Sequence, residues 1–177
     1  MSGGVDSAVS AYLLQKQGHE VINYGTDSLE SYDYPVAAKD LCQGIQKGEV
    51  ELGIAICGTG VGISIACNKH KGIRACCCSE TTSARMTREH NNANVICFGA
   101  GIVSKQMAYD IVDTFLTTEF SYGERHVRRV NEISEIENEH ANPSLDTLIK
   151  LANALQTTMD ILVKIVLSSM AFSTMVS

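Results

Sequence analysis

IAICGTGVGIS, residues Ile54–Ser64, decides how this chain is read. A short apolar run ends on Cys57, turns through Gly58, Gly60 and Gly62, and reopens as an apolar, helix-like segment. In an α/β fold that order puts Cys57 at the carboxyl end of a strand. It puts the glycines in a tight turn and backbone N–H groups at a helix start. A thiol beside such amides can serve a site that holds an anion or a developing oxyanion. The plainer alternative is a small buried residue at a strand end.

Outward from this stretch, strand and helix patterns alternate. Asp6–Gln17 has apolar residues at helical spacing, and Glu20–Tyr24 reads as a strand. A polar loop, Gly25–Tyr34, leads to Pro35 and a helix over Val36–Gln46. Glu51–Ile56 is a strand and Val61–Asn68 a helix. Ile73–Cys78 is a strand, Thr81–Glu89 a polar helix, Asn94–Phe98 a strand and Lys105–Thr117 a helix with an apolar stripe. Short strands separated by helices predict a Rossmann-like, doubly wound parallel sheet. Ligands of such sheets lie at the carboxyl edge. Cys57, the loop after Tyr24 and the loop after Phe98 all fall there.

With 177 residues the chain is long enough for one domain with a real core and a short appendage. A net charge of -6 argues against a general nucleic-acid surface. No basic stretch followed by an apolar one opens the sequence, so a cytoplasmic location is expected. Ile161–Val176 is apolar but broken by Lys164 and the Ser168–Ser169 pair, too short to span a bilayer. Seven cysteines are an odd number and read as reduced thiols. Cys76, Cys77 and Cys78 lack metal-ligand spacing and read as a buried strand. Neither a metal nor a cofactor is expected.

The segments GHEVINYGT, SYDYP, ICGTGVGISIACNK, GIRA, SARMTREHNNANV and RHVRRV resemble, in order and spacing, the ribose-5-phosphate isomerase B family. That family includes the galactose-6-phosphate isomerase subunits. The resemblance covers Gly18 to about Ile136. The cysteine before GTGVG and the His90–Asn91 pair favour the ribose-phosphate branch. It implies an aldose–ketose isomerase of carbohydrate metabolism and the pentose phosphate pathway, interconverting ribose 5-phosphate and ribulose 5-phosphate through an enediolate. Such chemistry needs a base, donors for the oxyanion, a group that opens the sugar ring and cations for the phosphate. By the resemblance Cys57 is the base, and a helix start can lower its pKa. Thr59 and the amides from Gly58 through Gly60, Val61 and Gly62 would hold the enediolate oxygen. His90 would assist ring opening, Asn91 would bind sugar hydroxyls, and Arg125 and Arg129 would grip the phosphate, with His126 assisting. Partners would be the sugar phosphate and further copies of the chain, as a homodimer or homotetramer with His90 and Asn91 supplied across the interface.

The residues keep plainer alternatives. His90 also reads as a cap at a helix end, and Arg125, Arg128 and Arg129 as a solvated basic run. Pro35 reads as a helix start with Asp33 near the site, and Ser64 as a helix residue rather than a nucleophile.

Three departures set the chain apart from the family pattern. The family opens with a strand ending in an Asp-His pair, and this sequence shows no such strand before its first helix. The arginine that the family carries shortly after the strand equivalent to Asn94–Phe98 is matched here by Gly101. Both ends look foreign. SGGVDSAVSAYLLQKQG resembles the start of PP-loop ATP pyrophosphatases, especially the tRNA 2-thiouridine synthases, whose turn wraps a pyrophosphate. ISEIENEHANPSLDTLIKLANALQTTMDIL resembles the later helices of a Cro/repressor-type helix-turn-helix, with Leu145, Leu148, Leu151 and Leu155 on one side. Acidic residues through Glu132–Glu139 oppose phosphate contact, so no nucleic-acid partner is expected. The expected organisation is an isomerase-like domain over 1–136, with a PP-loop-like head at 1–17, and a helical tail over 137–177. The main alternatives to an impaired isomerase are an inactive remnant and a nucleotide-binding module using SGGVDS. Loss of the first strand predicts a gap between Glu20–Tyr24 and Glu51–Ile56, closed by direct pairing, filled by Ile161–Val176, or left as a source of instability.

Overall fold

The computed structural model describes residues 18–26 and 31–137, with Gln15, Ile149 and Asn153 as isolated positions. The chain divides into two units, Met1–Glu137 and Asn138–Ser177. The expected helix Asp6–Gln17, the SGGVDS turn, the helix-turn-helix-like tail and the spare segment Ile161–Val176 lie outside the described residues.

The described elements, in chain order, are α1 (Tyr34–Gln46), β1 (Gly53–Cys57), α2 (Val61–Cys67), β2 (Ala75–Cys77), α3 (Thr81–Asn91), β3 (Val95–Gly99), α4 (Lys105–Thr117) and α5 (Glu124–Glu137). The three strands form one parallel sheet in the order β1-β3-β2. This is the expected α/β class.

β3 is buried at all five residues, as a central parallel strand covered on both faces must be. Its alternation divides the interior in two. Val95 and Cys97 face one cluster with Ala38, Leu41, Cys42, Ala55, Cys57, Ile63 and Cys67, from α1, β1 and α2. Ile96 and Phe98 face the other, with Ala84 of α3 and Ile111, Val112 and Phe115 of α4. β1 follows the same period: Gly53, Ala55 and Cys57 are buried, while Ile54 and Ile56 are half-buried. Strand parity therefore turns Cys57 toward the face covered by α2.

Boundaries shift where caps act. α1 begins two residues earlier than periodicity predicts, because Pro35 stands in its first turn with its ring already set for helical φ. α3 runs two residues past the expected Glu89 and ends where Asn92 adopts φ 47°. Glu80 caps its start, accepting from the N–H groups of Thr82 and Ser83 at 2.6 Å each. α4 matches expectation and is capped by Ser104, whose hydroxyl accepts from Met107 N–H at 3.2 Å. Ser104→Ala is expected to remove about 1 kcal/mol of stability. In a chain of this size that lowers Tm by roughly 2–4 °C in a thermal melt; an unchanged Tm would show that water serves the cap equally well.

Two sequence expectations are corrected. Glu20–Tyr24 is not a strand: residues 18–26 carry no regular strand and add nothing to the three-stranded sheet. Their anchors are side chains instead. Tyr24 Oη donates to Glu49 at 2.9 Å, and Asn23 Oδ1 accepts from Gly25 N–H at 2.9 Å. Direct pairing of this segment with β1, one of the three outcomes expected for the gap, is thus absent among the described residues. The second correction concerns the cysteine run. β2 spans only Ala75–Cys77, and only Cys78 of the three cysteines is buried, Cys76 being half-buried and Cys77 exposed. β2 is an edge strand that stops at Cys77, so its alternating side chains are not all covered as those of central β3 are.

Candidate active site

The loop that leaves β1 folds back on the carboxyl edge of the sheet. Ala100 N–H donates to Cys57 O at 2.9 Å, and Gly101 N–H to Gly58 O at 3.0 Å. Thr59 Oγ1 accepts from Val61 N–H at 3.4 Å, closing the turn that starts α2. Gly60 has φ 81°, a region an L-residue enters only with strain. Space forbids a side chain there as well, because a Cβ on Gly60 would stand 2.7 Å from the Phe98 carbonyl carbon. The Tyr34 ring lies against Gly62. Ser64 sits within α2 and donates to Val61 O at 2.8 Å, as a helix residue rather than a nucleophile.

Cys57 is the last residue of β1 and only 7% exposed. Its sulfur accepts from Gly60 N–H at 3.1 Å. Burial pushes the thiol up, but the backbone N–H groups of Ile63, Thr59 and Gly60 outweigh burial and bring it below the ordinary cysteine value. The amides of the glycine turn are therefore directed at least partly at the sulfur, where they favour the thiolate.

A second group forms around the carboxyl end of α3 and the start of α5. His90 and His126 stack with ring centroids 4.3 Å apart and planes 4° from parallel. Arg125 Nε donates to His126 Nε2 at 3.1 Å, so His126 is a neutral acceptor at that nitrogen. Burial lowers the His126 pKa, and the charges of His90, Arg125 and Arg129 lower it further, with the His90 backbone partly opposing. The loop between α4 and α5 is tied to α3 by Ser121, whose N–H and hydroxyl both donate to Glu89 O, at 3.1 and 2.6 Å. Arg128 behaves as the solvated-run reading has it, lying exposed 3.8 Å from Glu132 one helical turn on. Asn91 is exposed on the last turn of α3.

The predicted site residues thus fall into two groups. Cys57, Gly58, Thr59, Gly60, Val61 and Gly62 form one; His90, Asn91, Arg125 and Arg129, with His126, form the other. Among the described residues, no hydrogen bond, ion pair or ring contact joins them. The sequence reading did not foresee the histidine stack or Cys77 standing beside Gly60. Only the His126 position within RHVRRV hinted at the first.

A thiol at the carboxyl edge of a parallel sheet, a stacked histidine pair and an arginine-bearing helix are groups that could serve proton transfer and anion binding. The Ribose/Galactose Isomerase family model matches residues 4–133. The chain belongs to that family. The ribose-5-phosphate isomerase B of Escherichia coli is 48% identical over 129 residues, covering 73% of this chain and 85% of the relative. The galactose-6-phosphate isomerase subunit LacB of Clostridium acetobutylicum is 39% identical over 128 residues, 72% of this chain and 73% of the relative. Among solved structures, Clostridium thermocellum ribose-5-phosphate isomerase B aligns with a TM-score of 0.74 and 47% identity, covering 77% of this chain and 91% of that one. The Mycoplasma genitalium enzyme with bound ribulose-5-phosphate aligns with a TM-score of 0.74 and 34% identity, over the same shares of the two chains.

The family match starts inside SGGVDS, at residue 4, and runs through the stretch read as a PP-loop head. No comparison supports that head as a pyrophosphate-binding segment. A second family model, Helix-turn-helix, matches residues 129–162, in line with the resemblance of the tail. It overlaps α5 from Arg129 onward. Among the described residues no helix is long and apolar enough to cross a membrane.

Proposed function

We propose that this chain isomerises a sugar phosphate between aldose and ketose, with ribose 5-phosphate and ribulose 5-phosphate as its substrate pair in pentose phosphate metabolism. The observation that supports this most is the Cys57 sulfur, at the open edge of the sheet with three backbone amides favouring its thiolate. In the forward direction the Cys57 thiolate removes the proton from C2 of the open-chain aldose. The electron pair moves into a C1–C2 double bond as the C1 oxygen becomes the enediolate oxygen. The proton then returns to C1, while the C2 hydroxyl passes its proton to the C1 oxygen and becomes the carbonyl. The Thr59 hydroxyl and the amides of Gly58 and Gly62 are left for the developing oxyanion, since the Gly60 N–H is engaged by the Cys57 sulfur and the Val61 N–H by Thr59 Oγ1. His90 assists ring opening, Asn91 binds sugar hydroxyls, and Arg125 and Arg129 hold the phosphate. Gly101 supplies no cation, so the phosphate relies on α5.

In this reading His90 and Asn91 serve the Cys57 site of a second copy, so that the site is completed across a homodimer. Two inactive variants, Cys57→Ala and His90→Ala, test it when mixed after co-refolding. In a two-fold dimer that shares residues across the interface, mixing should restore about a quarter of wild-type sites, since half the dimers are mixed and each carries one intact site. No recovery from a verified mixed dimer would show that each chain holds its own complete site. Assays on ribose 5-phosphate and galactose 6-phosphate in parallel test the substrate; preference for the latter would overturn the ribose assignment.

A further inference from the structure

Thr59 and Gly60 share one peptide group, and a cysteine stands at each end of it. The Gly60 N–H points at the Cys57 sulfur at 3.1 Å. The Thr59 carbonyl accepts from the Cys77 thiol, with sulfur and oxygen 3.8 Å apart. In a trans peptide the N–H and C=O point in opposite directions, so the group is strung between the two sulfurs. The sheet makes this possible. Cys57 is in register with Gly99 of β3, and Cys77 with Cys97, two residues away on the same strand face. The Cys77 sulfur would stand 2.9 Å from a Cβ on Gly60, so it lies directly on the turn.

We propose that Cys77 is a positioning residue for the isomerase site: its thiol holds the Thr59 carbonyl and thereby aims the Gly60 N–H at the sulfur of Cys57. A peptide that leads into a glycine has little of its own to choose between orientations, since glycine admits both signs of φ. If the Thr59–Gly60 peptide turned over, its carbonyl oxygen would replace the N–H beside Cys57 and oppose the thiolate. A donor on the carbonyl side holds the useful orientation and strengthens the N–H by polarising the amide. Cys77 is suited to donate. Although the residue is exposed, partial desolvation of its sulfur against the turn raises its pKa, as do the neighbouring sulfurs of Cys57 and Cys76, so it holds its proton more tightly than Cys57. From α1, Tyr34 flanks the same turn at Gly62.

The inference rests on Cys57 being the base, and its test separates the two. In the full-length protein, the rate of Cys57 alkylation by iodoacetamide is followed against pH by mass spectrometry of the Cys57 peptide, for wild type, Cys77→Ala and Cys77→Ser. Kinetics on ribose 5-phosphate run in parallel. In Cys77→Ala the midpoint of Cys57 reactivity should rise by about half a unit to one unit, lowering the thiolate fraction at neutral pH about three- to tenfold. The acid limb of kcat/KM should move with it while KM stays near wild type. Cys77→Ser, which keeps a hydroxyl donor, should lie closer to wild type than Cys77→Ala. An unmoved midpoint in a folded Cys77→Ala protein overturns the proposal. Equal shifts in the alanine and serine variants also overturn it, since they would show that the sulfur only fills space. A shifted midpoint in Cys77→Ala with no shift in serine, in a chain without isomerase activity, would uphold the positioning role and reject the reaction.

Discussion

Replacing Cys57 by alanine is expected to lower kcat for ribose 5-phosphate isomerisation by about 10²–10⁴-fold, the range a positioned general base contributes, with KM little changed. No neighbouring thiol can take over. Cys77 is the nearest candidate in the site, but its pKa is raised and its thiol is engaged with the Thr59 carbonyl. Water on its own lacks the placement that three amides give to the Cys57 sulfur. A coupled spectrophotometric assay checks the loss, and a thermal melt checks that the variant is folded. Retention of half the wild-type kcat would remove Cys57 from the role of base. Activity should also fall as pH drops through the Cys57 pKa, because the thiolate is the working form. Since that pKa lies below the ordinary thiol value, activity should persist to lower pH than an unassisted cysteine allows.

The second large effect is expected at Gly60. An alanine there must hold φ near 81° and place its Cβ 2.7 and 2.8 Å from backbone atoms of Phe98. Backbone of the central strand cannot yield as a flexible side chain would. The left-handed conformation costs about 1–2 kcal/mol, and overpacking adds about 1–3 kcal/mol. A total near 3 kcal/mol corresponds to a Tm lower by roughly 6–12 °C. Activity should fall further than stability, because relief requires the turn to lift off β3 and carries the Gly60 N–H away from Cys57. Gly58→Ala is the control: nothing lies within 4 Å of its Cβ position. Similar melts for Gly60→Ala and wild type would show that the turn repacks freely.

Local signals made part of this fold legible in the sequence. The helix Lys105–Thr117 carries its own cap and a clear stripe, so periodicity alone places both ends. β3 announces itself as a continuous apolar run, and Cys57 at the end of β1 follows from the glycines behind it. The failures are non-local. Glu20–Tyr24 has strand-like composition, but whether a segment joins a sheet depends on what lies beside it, which no local pattern records. The Cys76–Cys78 run reads as buried because cysteine usually is, whereas its exposure depends on where β2 stops. The stacking of His90 on His126 joins residues 36 positions apart and depends on Ser121 tying the intervening loop to α3. The direction of the glycine-turn amides was likewise hidden. A GTGVG motif says that N–H groups are available, and only the folded turn shows Gly60 donating its own to the sulfur rather than leaving it open to a ligand.

Asn68, just past α2, has a consequence for how copies of this protein can meet. Its side-chain amide donates to Ala75 O at 2.7 Å and accepts from Ala75 N–H at 2.8 Å, reproducing the pairing of a neighbouring strand in a single residue. A β-rich segment of another molecule that approached β2 would find this rung already occupied. It would meet a strand only three residues long, too short to template ordered growth. A single asparagine side chain thus acts as a stopper on one edge of the sheet. Polymerisation by strand addition is discouraged at this edge.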